Sequence, residues 1–142
     1  MTTNTAKVHW NGGIKDGHGR ISTGRDVLHE VPYGFASRFE DGPNTNPEEL
    51  IAAAHAACFS MALSKELGDR DINAPAIETD CEITLDQKDG DFAITKSHLK
   101  VDLRAPGADR STAEEAVESA AKNCPVSKLL NCEITHEAHY DV

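Results

Sequence analysis

The chain has 142 residues, enough for one hydrophobic core and too few for two, so residues 1–142 read as a single domain. With 14 basic and 24 acidic residues the net charge is −10, and no Lys/Arg cluster stands out, which argues against nucleic acid and anionic membrane surfaces as partners. The opening stretch MTTNTAKVHWNGG lacks the apolar run of a secretory signal, and the apolar segment Leu50 to Leu63 is interrupted by His55 and Ser60 and is short for a bilayer span.

Ala6, Val8 and Trp10 alternate with polar neighbours and predict a strand. Glycines at 12, 13, 17 and 19 turn the chain toward a second strand around Arg20 to Thr23. Val31-Pro32-Tyr33-Gly34 reads as a turn, followed by a short extended piece from Phe35 to Phe39 and a loop at Asp41-Gly42-Pro43-Asn44. A helix then starts with Asn46 as cap, Pro47 in the first position and Glu49 three residues after the cap. From Leu50 to Ser64 it is apolar or small nearly all round, which predicts burial. Its small residues, Ala52 to Ala57, allow another backbone to come close, the same helix of a second subunit being a candidate. Gly68 ends it.

Ile77, Thr79, Cys81, Ile83 and Leu85 alternate with an acidic outer face, and Asp89-Gly90 turns this strand into a partner running to about Arg104. The apolar phase of that partner switches between Ile94 and Leu99, which predicts a bulge. Ser111 with Glu114 reads as a capping box for a helix whose buried stripe runs Ala113, Ala116, Val117, Ala120, Ala121, Cys124. Pro125 breaks or restarts it, and Cys132, Ile134, Ala138 and Tyr140 face one way in a last strand. The order is that of an α+β protein.

A cytoplasmic location is the expectation without an export signal, and there the four cysteines are read as thiols. Cys81 and Cys132 occupy inward strand positions and read as small core hydrophobes. Cys58 and Cys124 lie on helices with small residues around the sulfur, so the helices can bring the two thiols together. A thiol in apolar surroundings has a raised pKa, so a reactive Cys58 needs a fixed cation, with Arg38 and Arg20 as candidates. Lowering a thiol pKa by two units takes about 2.7 kcal/mol. One guanidinium within ~4 Å supplies about 4 kcal/mol at an effective dielectric near 20, before desolvation is subtracted. Cys124 is ambiguous: the C-terminus of a helix disfavours its thiolate, whereas capping a new helix begun by Pro125 favours it. His55, one turn before Cys58, reads as a satisfied core or interface residue rather than a base. His136 and His139 point to opposite strand faces, and no Cys-x-x-Cys is present, so metal and thioredoxin-type signatures are lacking.

Tyr33-Gly34-Phe35-Ala36-Ser37-Arg38-Phe39-Glu40, the run from Thr45-Asn46-Pro47-Glu48 through Ala57-Cys58-Phe59-Ser60 to Leu63, Phe92-Ala93-Ile94-Thr95-Lys96, and Asn123-Cys124-Pro125-Val126-Ser127 together resemble the osmotically inducible protein C (OsmC) family. The likeness runs from Val8-His9-Trp10 to Ile134-Thr135 and is nearer to OsmC proper than to its sister branch, the organic hydroperoxide resistance proteins. The resemblance implies an OsmC-like fold, with antiparallel sheets around a long buried central helix in an intertwined homodimer. It implies a cysteine-based peroxidase acting on organic hydroperoxides and more weakly on hydrogen peroxide. By motif, Cys58 matches the peroxidatic cysteine, Cys124 the resolving cysteine, Arg38 the arginine and Glu48 the glutamate that pairs with it. The implied cycle passes through a Cys58 sulfenic acid and a Cys58–Cys124 disulfide, reset by an external dithiol, with lipoyl groups on proteins suggested; no metal, haem or flavin is required. Ten residues separate Glu48 from Cys58 on the long helix, about 15 Å of axis, so shared use of one site requires Glu48, and with it Arg38, from the partner subunit. Phe39, Phe59, Met61 and Leu63 are candidates for an apolar wall. The rival readings are a non-catalytic redox-sensing or ligand-binding dimer using the same groove, and a thiol–disulfide oxidoreductase.

Overall fold

The N-terminal alternation builds a three-stranded antiparallel sheet. In a computed structural model that describes all 142 residues, β1 (Ala6–Asn11) pairs with β2 (His18–Thr23), which pairs with β3 (Val31–Tyr33). Val31–Tyr33 is therefore a strand rather than the expected turn. Pro32 is tolerated because β3 is an edge strand, where a missing N–H costs no ladder bond. The piece from Phe35 to Phe39 is also corrected, to a short helix, α1 (Phe35–Phe39). Ser37 closes that turn on Gly34: its hydroxyl donates to the Gly34 carbonyl at 2.9 Å and accepts from the Gly34 N–H at 3.0 Å. Phe35 and Phe39, one turn apart, then pack ring on ring at 4.9 Å. These elements lie in a compact unit spanning Met1–Leu50.

The long helix, α2 (Pro47–Gly68), begins as the sequence signs it. The Asn46 side chain accepts from the Glu49 N–H at 2.8 Å, and its amide ties back to the Ser37 carbonyl at 2.6 Å. Its 22 residues are long and apolar enough to cross a membrane by length and composition, longer than the uninterrupted apolar segment suggests. The side chains read otherwise. His55, Phe59, Leu63 and Leu67 form one fully buried row at i, i+4 spacing, while Ala53, Ala54, Ala57 and Met61 are exposed on the other side. It is a core helix with one row buried in the single chain.

In the second compact unit, Ile51–Val142, β4 (Ala76–Lys88) and β5 (Asp91–Arg104) form a long antiparallel hairpin. Its turn places Asp89 at φ 53° and Gly90 at φ 85°, the two left-handed residues that a two-residue hairpin requires. Burial along β4 alternates from Ile77 to Leu85 as the pattern predicts. The expected bulge is present: Thr84 pairs with Lys96 but Leu85 pairs with Ile94, leaving Thr95 as the extra residue. The last strand, β6 (Glu133–Asp141), adds to β5 in parallel, so this sheet is mixed rather than purely antiparallel. A parallel neighbour needs a crossover, supplied by α3 (Arg110–Asn123) and α4 (Pro125–Leu129). The cap of α3 is Asp109, whose carboxylate accepts from the Thr112 N–H at 3.0 Å, rather than Ser111. Leu99, Val101 and Leu103 of β5, the buried row of α2, and Ala113, Ala116, Val117 and Ala120 of α3 form the core.

A buried polar trio, His55 with Ser97 and Ser127, lies against that core. His55 is fully buried, its Nδ1 2.6 Å from the Ser97 hydroxyl on β5 and its Nε2 2.7 Å from the Ser127 hydroxyl on α4. Burial pushes its pKa below the ordinary imidazole value. Between the folded and unfolded pKa values the unfolded chain binds the extra proton, so this contribution to stability is complete above about pH 6.5 and declines as pH falls through it. Urea titrations across that range should show a loss of stability toward acid that is smaller in His55→Gln. In the apolar row, Phe59→Ala should cost about 3–5 kcal/mol in the same measurement, the usual penalty for an emptied aromatic core site.

Candidate active site

The sequence candidates fall into two groups, one in each compact unit. In the N-terminal unit, α1 carries Arg38 and the first turn of α2 carries Glu48. The guanidinium donates to Glu48 Oε1 through Nη2 at 2.7 Å and through Nε at 3.0 Å, with Nε also 3.3 Å from Oε2. The Glu48 side chain is 10% exposed and that of Arg38 is 38% exposed, so the carboxylate acts as the fixed anchor and the cation retains an open side. Arg38 also lies over the Phe39 ring, 5.4 Å from its centroid. Around the guanidinium, Trp10, Ile14, Tyr33, Phe35 and Phe39 line an open hollow of about 310 Å³, with Trp10 and Tyr33 packed at 5.6 Å. This is a cation set in an aromatic surround. Arg20, the other candidate, is on β2 with its Nε 3.8 Å from Glu30 in an exposed pair.

In the C-terminal unit, Cys58 of α2 and Cys124 at the α3–α4 junction border one open hollow of about 530 Å³, together with Met61, Ala62, Ala120 and Pro125. Most of its lining is apolar. Cys124 is the thiol that acts on Cys58 at this hollow. The Cys58 thiol is pushed up first by burial, then drawn down by the Val126 backbone N–H, and raised again by Cys124 beside it, for a net rise. Within this unit the thiol is the favoured form of Cys58. Cys124 is 1% exposed and takes both roles left open by the sequence: it ends α3 and caps α4. Its sulfur accepts the Ser127 N–H at 3.3 Å and lies 3.0 Å from the Ser127 hydroxyl.

Of the side chains considered for an apolar wall, Met61 is 77% exposed at the thiol hollow and Phe39 lines the arginine hollow. Phe59 and Leu63 are instead completely buried in the core. A helix apolar all round does not disclose which side chains face inward. Cys81 packs against the core but is polar in its contacts, with its sulfur 3.3 Å from the Ser97 hydroxyl. Burial raises the pKa of both Cys81 and Cys132, and Cys132, just before β6, takes the Ser97 N–H. No three His, Cys, Asp or Glu side chains converge as a metal-binding group. His55 is the satisfied core residue that the sequence indicates, but its partners Ser97 and Ser127 were missed. His55 lies on the thiol-bearing helix three residues before Cys58, but its partners are 42 and 72 residues away in sequence.

Comparison with known proteins identifies the family and the fold. The family model described as OsmC-like protein matches residues 40–139. The chain is 50% identical to Peroxiredoxin OsmC of Escherichia coli K12 over 129 residues, covering 91% of this chain and 90% of that one. It is 34% identical to the organic hydroperoxide resistance protein OhrB of Bacillus subtilis, covering 90% of each. The crystal structure of OhrB superposes with a TM-score of 0.73 at 32% identity, over 95% of this chain and 98% of that one. An organic hydroperoxide resistance protein OsmC from Legionella pneumophila gives a TM-score of 0.72 at 25% identity, over 100% of this chain and 98% of that one. With the family model matching residues 40–139 and a relative 50% identical over 91% of this chain, the chain belongs to the OsmC family.

Proposed function

We propose that the protein is a thiol peroxidase that reduces organic hydroperoxides, with Cys58 as the attacking sulfur and Cys124 as the resolving one. The observation that carries this reading is the pair of thiols bordering a single open, mostly apolar hollow. Relatives bearing the names peroxiredoxin and organic hydroperoxide resistance protein support the same chemistry.

The thiolate is the nucleophile, and burial holds Cys58 in its thiol form. A cation must therefore be supplied. Arg38, held by Glu48, is our candidate: its guanidinium is oriented in advance and retains donors for a peroxide oxygen. Glu48 and Cys58 stand ten residues apart on α2, about 15 Å along its axis, so the arginine of one subunit serves the thiol of its partner in a homodimer. The exposed small face of α2, with Ala53, Ala54 and Ala57, suits a close helix–helix approach.

In the reaction, the Cys58 thiolate attacks the peroxide, the O–O bond breaks and the alcohol leaves, giving a sulfenic acid on Cys58. The Cys124 sulfur displaces water from it and closes a Cys58–Cys124 disulfide. An external dithiol, for which a lipoylated protein is our candidate, returns both thiols by exchange. The aromatic residues around Arg38 favour bulky organic peroxides over hydrogen peroxide. All of this chemistry is carried on sulfur, and the setting is cytoplasmic, where such dithiols are maintained.

Consumption of cumene hydroperoxide with dihydrolipoamide should be catalytic for the parent and abolished in Cys58→Ser. Cys124→Ser should stall after one equivalent with a trapped sulfenic acid. Arg38→Ala should slow Cys58 oxidation about 100-fold, the equivalent of a two-unit pKa rise. A parent protein that consumes one equivalent with every dithiol would replace the enzyme by a single-use redox sensor.

A further inference from the structure

The resolving step requires Cys124 to react as a nucleophile, yet this sulfur is 1% exposed and the charges at the rim of its hollow are engaged elsewhere. Lys65 holds Asp69 at 2.7 Å, and Glu66 holds Arg70 at 2.6 Å. From α2 the neighbouring titratable group is Cys58, another thiol. Apart from Cys58, the donors that reach the sulfur both belong to Ser127, whose backbone N–H and hydroxyl lie at 3.3 and 3.0 Å. That hydroxyl has a single proton and a second neighbour, His55 Nε2, at 2.7 Å.

We propose that His55 is a positioning residue that acts through the Ser127 hydroxyl to set whether the Cys124 sulfur receives a proton donor. This extends the reading of Cys124 as the resolving thiol. A neutral imidazole carries one N–H, so the buried network has two self-consistent arrangements. With the proton on Nε2, His55 donates to Ser127, the serine turns its O–H onto Cys124, and Nδ1 accepts from Ser97. The sulfur then faces two donors and its thiolate is favoured. With the proton on Nδ1, Ser97 accepts it, Ser127 donates to Nε2, and the Ser127 oxygen accepts the Cys124 S–H. The thiol is then favoured. Burial keeps the ring neutral throughout, so ionisation at Cys124 is coupled to a tautomer change and no buried imidazolium is formed.

On its far side His55 faces Ser97 of β5 and Cys81 of β4, whose sulfur is 3.3 Å from Ser97 Oγ and 3.9 Å from Nδ1, and Cys132 lies beyond Cys81. None of these groups is a carboxylate; Glu82, whose charge acts on Cys81, lies exposed on β4 with Lys100 at 3.4 Å, and burial is what sets the His55 ring. In the reaction itself the Cys124–Cys58 S–S bond forms and the Cys58 S–O bond breaks. Cys124 is oxidised and the sulfenic sulfur reduced, and the thiol proton leaves with the hydroxyl as water.

The test needs no peroxide. In a Cys58→Ser background, the ultraviolet absorbance of the Cys124 thiolate is followed against pH, with the Cys58→Ser/Cys124→Ser protein subtracted. Ser127→Ala should raise the midpoint by about one unit, a tenfold smaller thiolate fraction at neutral pH. His55→Leu should raise it in the same direction with Ser127 still present, and His55→Gln, whose amide can donate to Ser127, should restore it. If His55 serves packing alone, its variants will lower the unfolding temperature and leave the midpoint in place. An unmoved midpoint in folded Ser127→Ala overturns the proposal even if His55→Leu fails to fold. Failure of the peroxidase reading would appear separately, as a parent protein that does not turn over cumene hydroperoxide.

Discussion

The docking of α2 by a single row of side chains governs the rest of the C-terminal unit. His55, Phe59, Leu63 and Leu67 succeed one another at four-residue intervals and all are buried. Helical geometry then leaves no freedom for Cys58: one residue before Phe59 it is rotated about 100° from the buried row, which puts it at the margin of the core. The same row brings His55 against β5 and α4. One packing decision therefore locates a thiol and a buried imidazole together. Three of the four side chains are apolar and supply burial energy. The fourth restricts rotation and sliding, because two hydroxyls from distant segments must each find a ring nitrogen.

The parallel addition of β6 to β5 is what delivers the second sulfur. A parallel strand cannot be joined by a tight turn, so the chain crosses over through α3, whose alanine stripe lets it lie close on the sheet. Cys124 sits where this crossover bends. Pro125 cannot extend α3 but suits the first position of α4, and the cysteine is left as last cap of one helix and first cap of the next. A capping side chain accepts a backbone N–H, and here sulfur takes the place that serine or aspartate usually fills.

Much of this was legible in the sequence, and the failures have identifiable causes. The period-two pattern from Ile77 to Leu85 disclosed β4, and the phase change in β5 disclosed the extra residue at Thr95, because strand periodicity is a local signal. Asn46-Pro47 disclosed the start of α2 for the same reason. Phe35–Phe39 was misread because five residues hold too few turns to show a helical period, and its closure depends on one serine hydroxyl. Asp109 was passed over as the cap of α3 in favour of Ser111, although both fit the residue preference. Within α2, apolar residues on every side concealed which face is buried, so Phe59 and Leu63 could not be separated from Met61. The His55 contacts were invisible because they are tertiary.

The two sulfurs of the proposed mechanism meet opposite physical problems. Cys58 must be a thiolate before any substrate arrives, and its burial and the sulfur beside it both work against ionisation. Only a full charge overcomes that, which is a task for an arginine whose geometry is already set by a buried carboxylate. Cys124 has to ionise only after a sulfenic acid stands next to it, and a permanent cation there would keep a second thiolate against the first. Two such anions in an apolar hollow would repel one another. A neutral relay of hydroxyl and imidazole avoids this conflict. On the proposed mechanism, donors without net charge would activate the resolving sulfur late and leave the cation to Cys58.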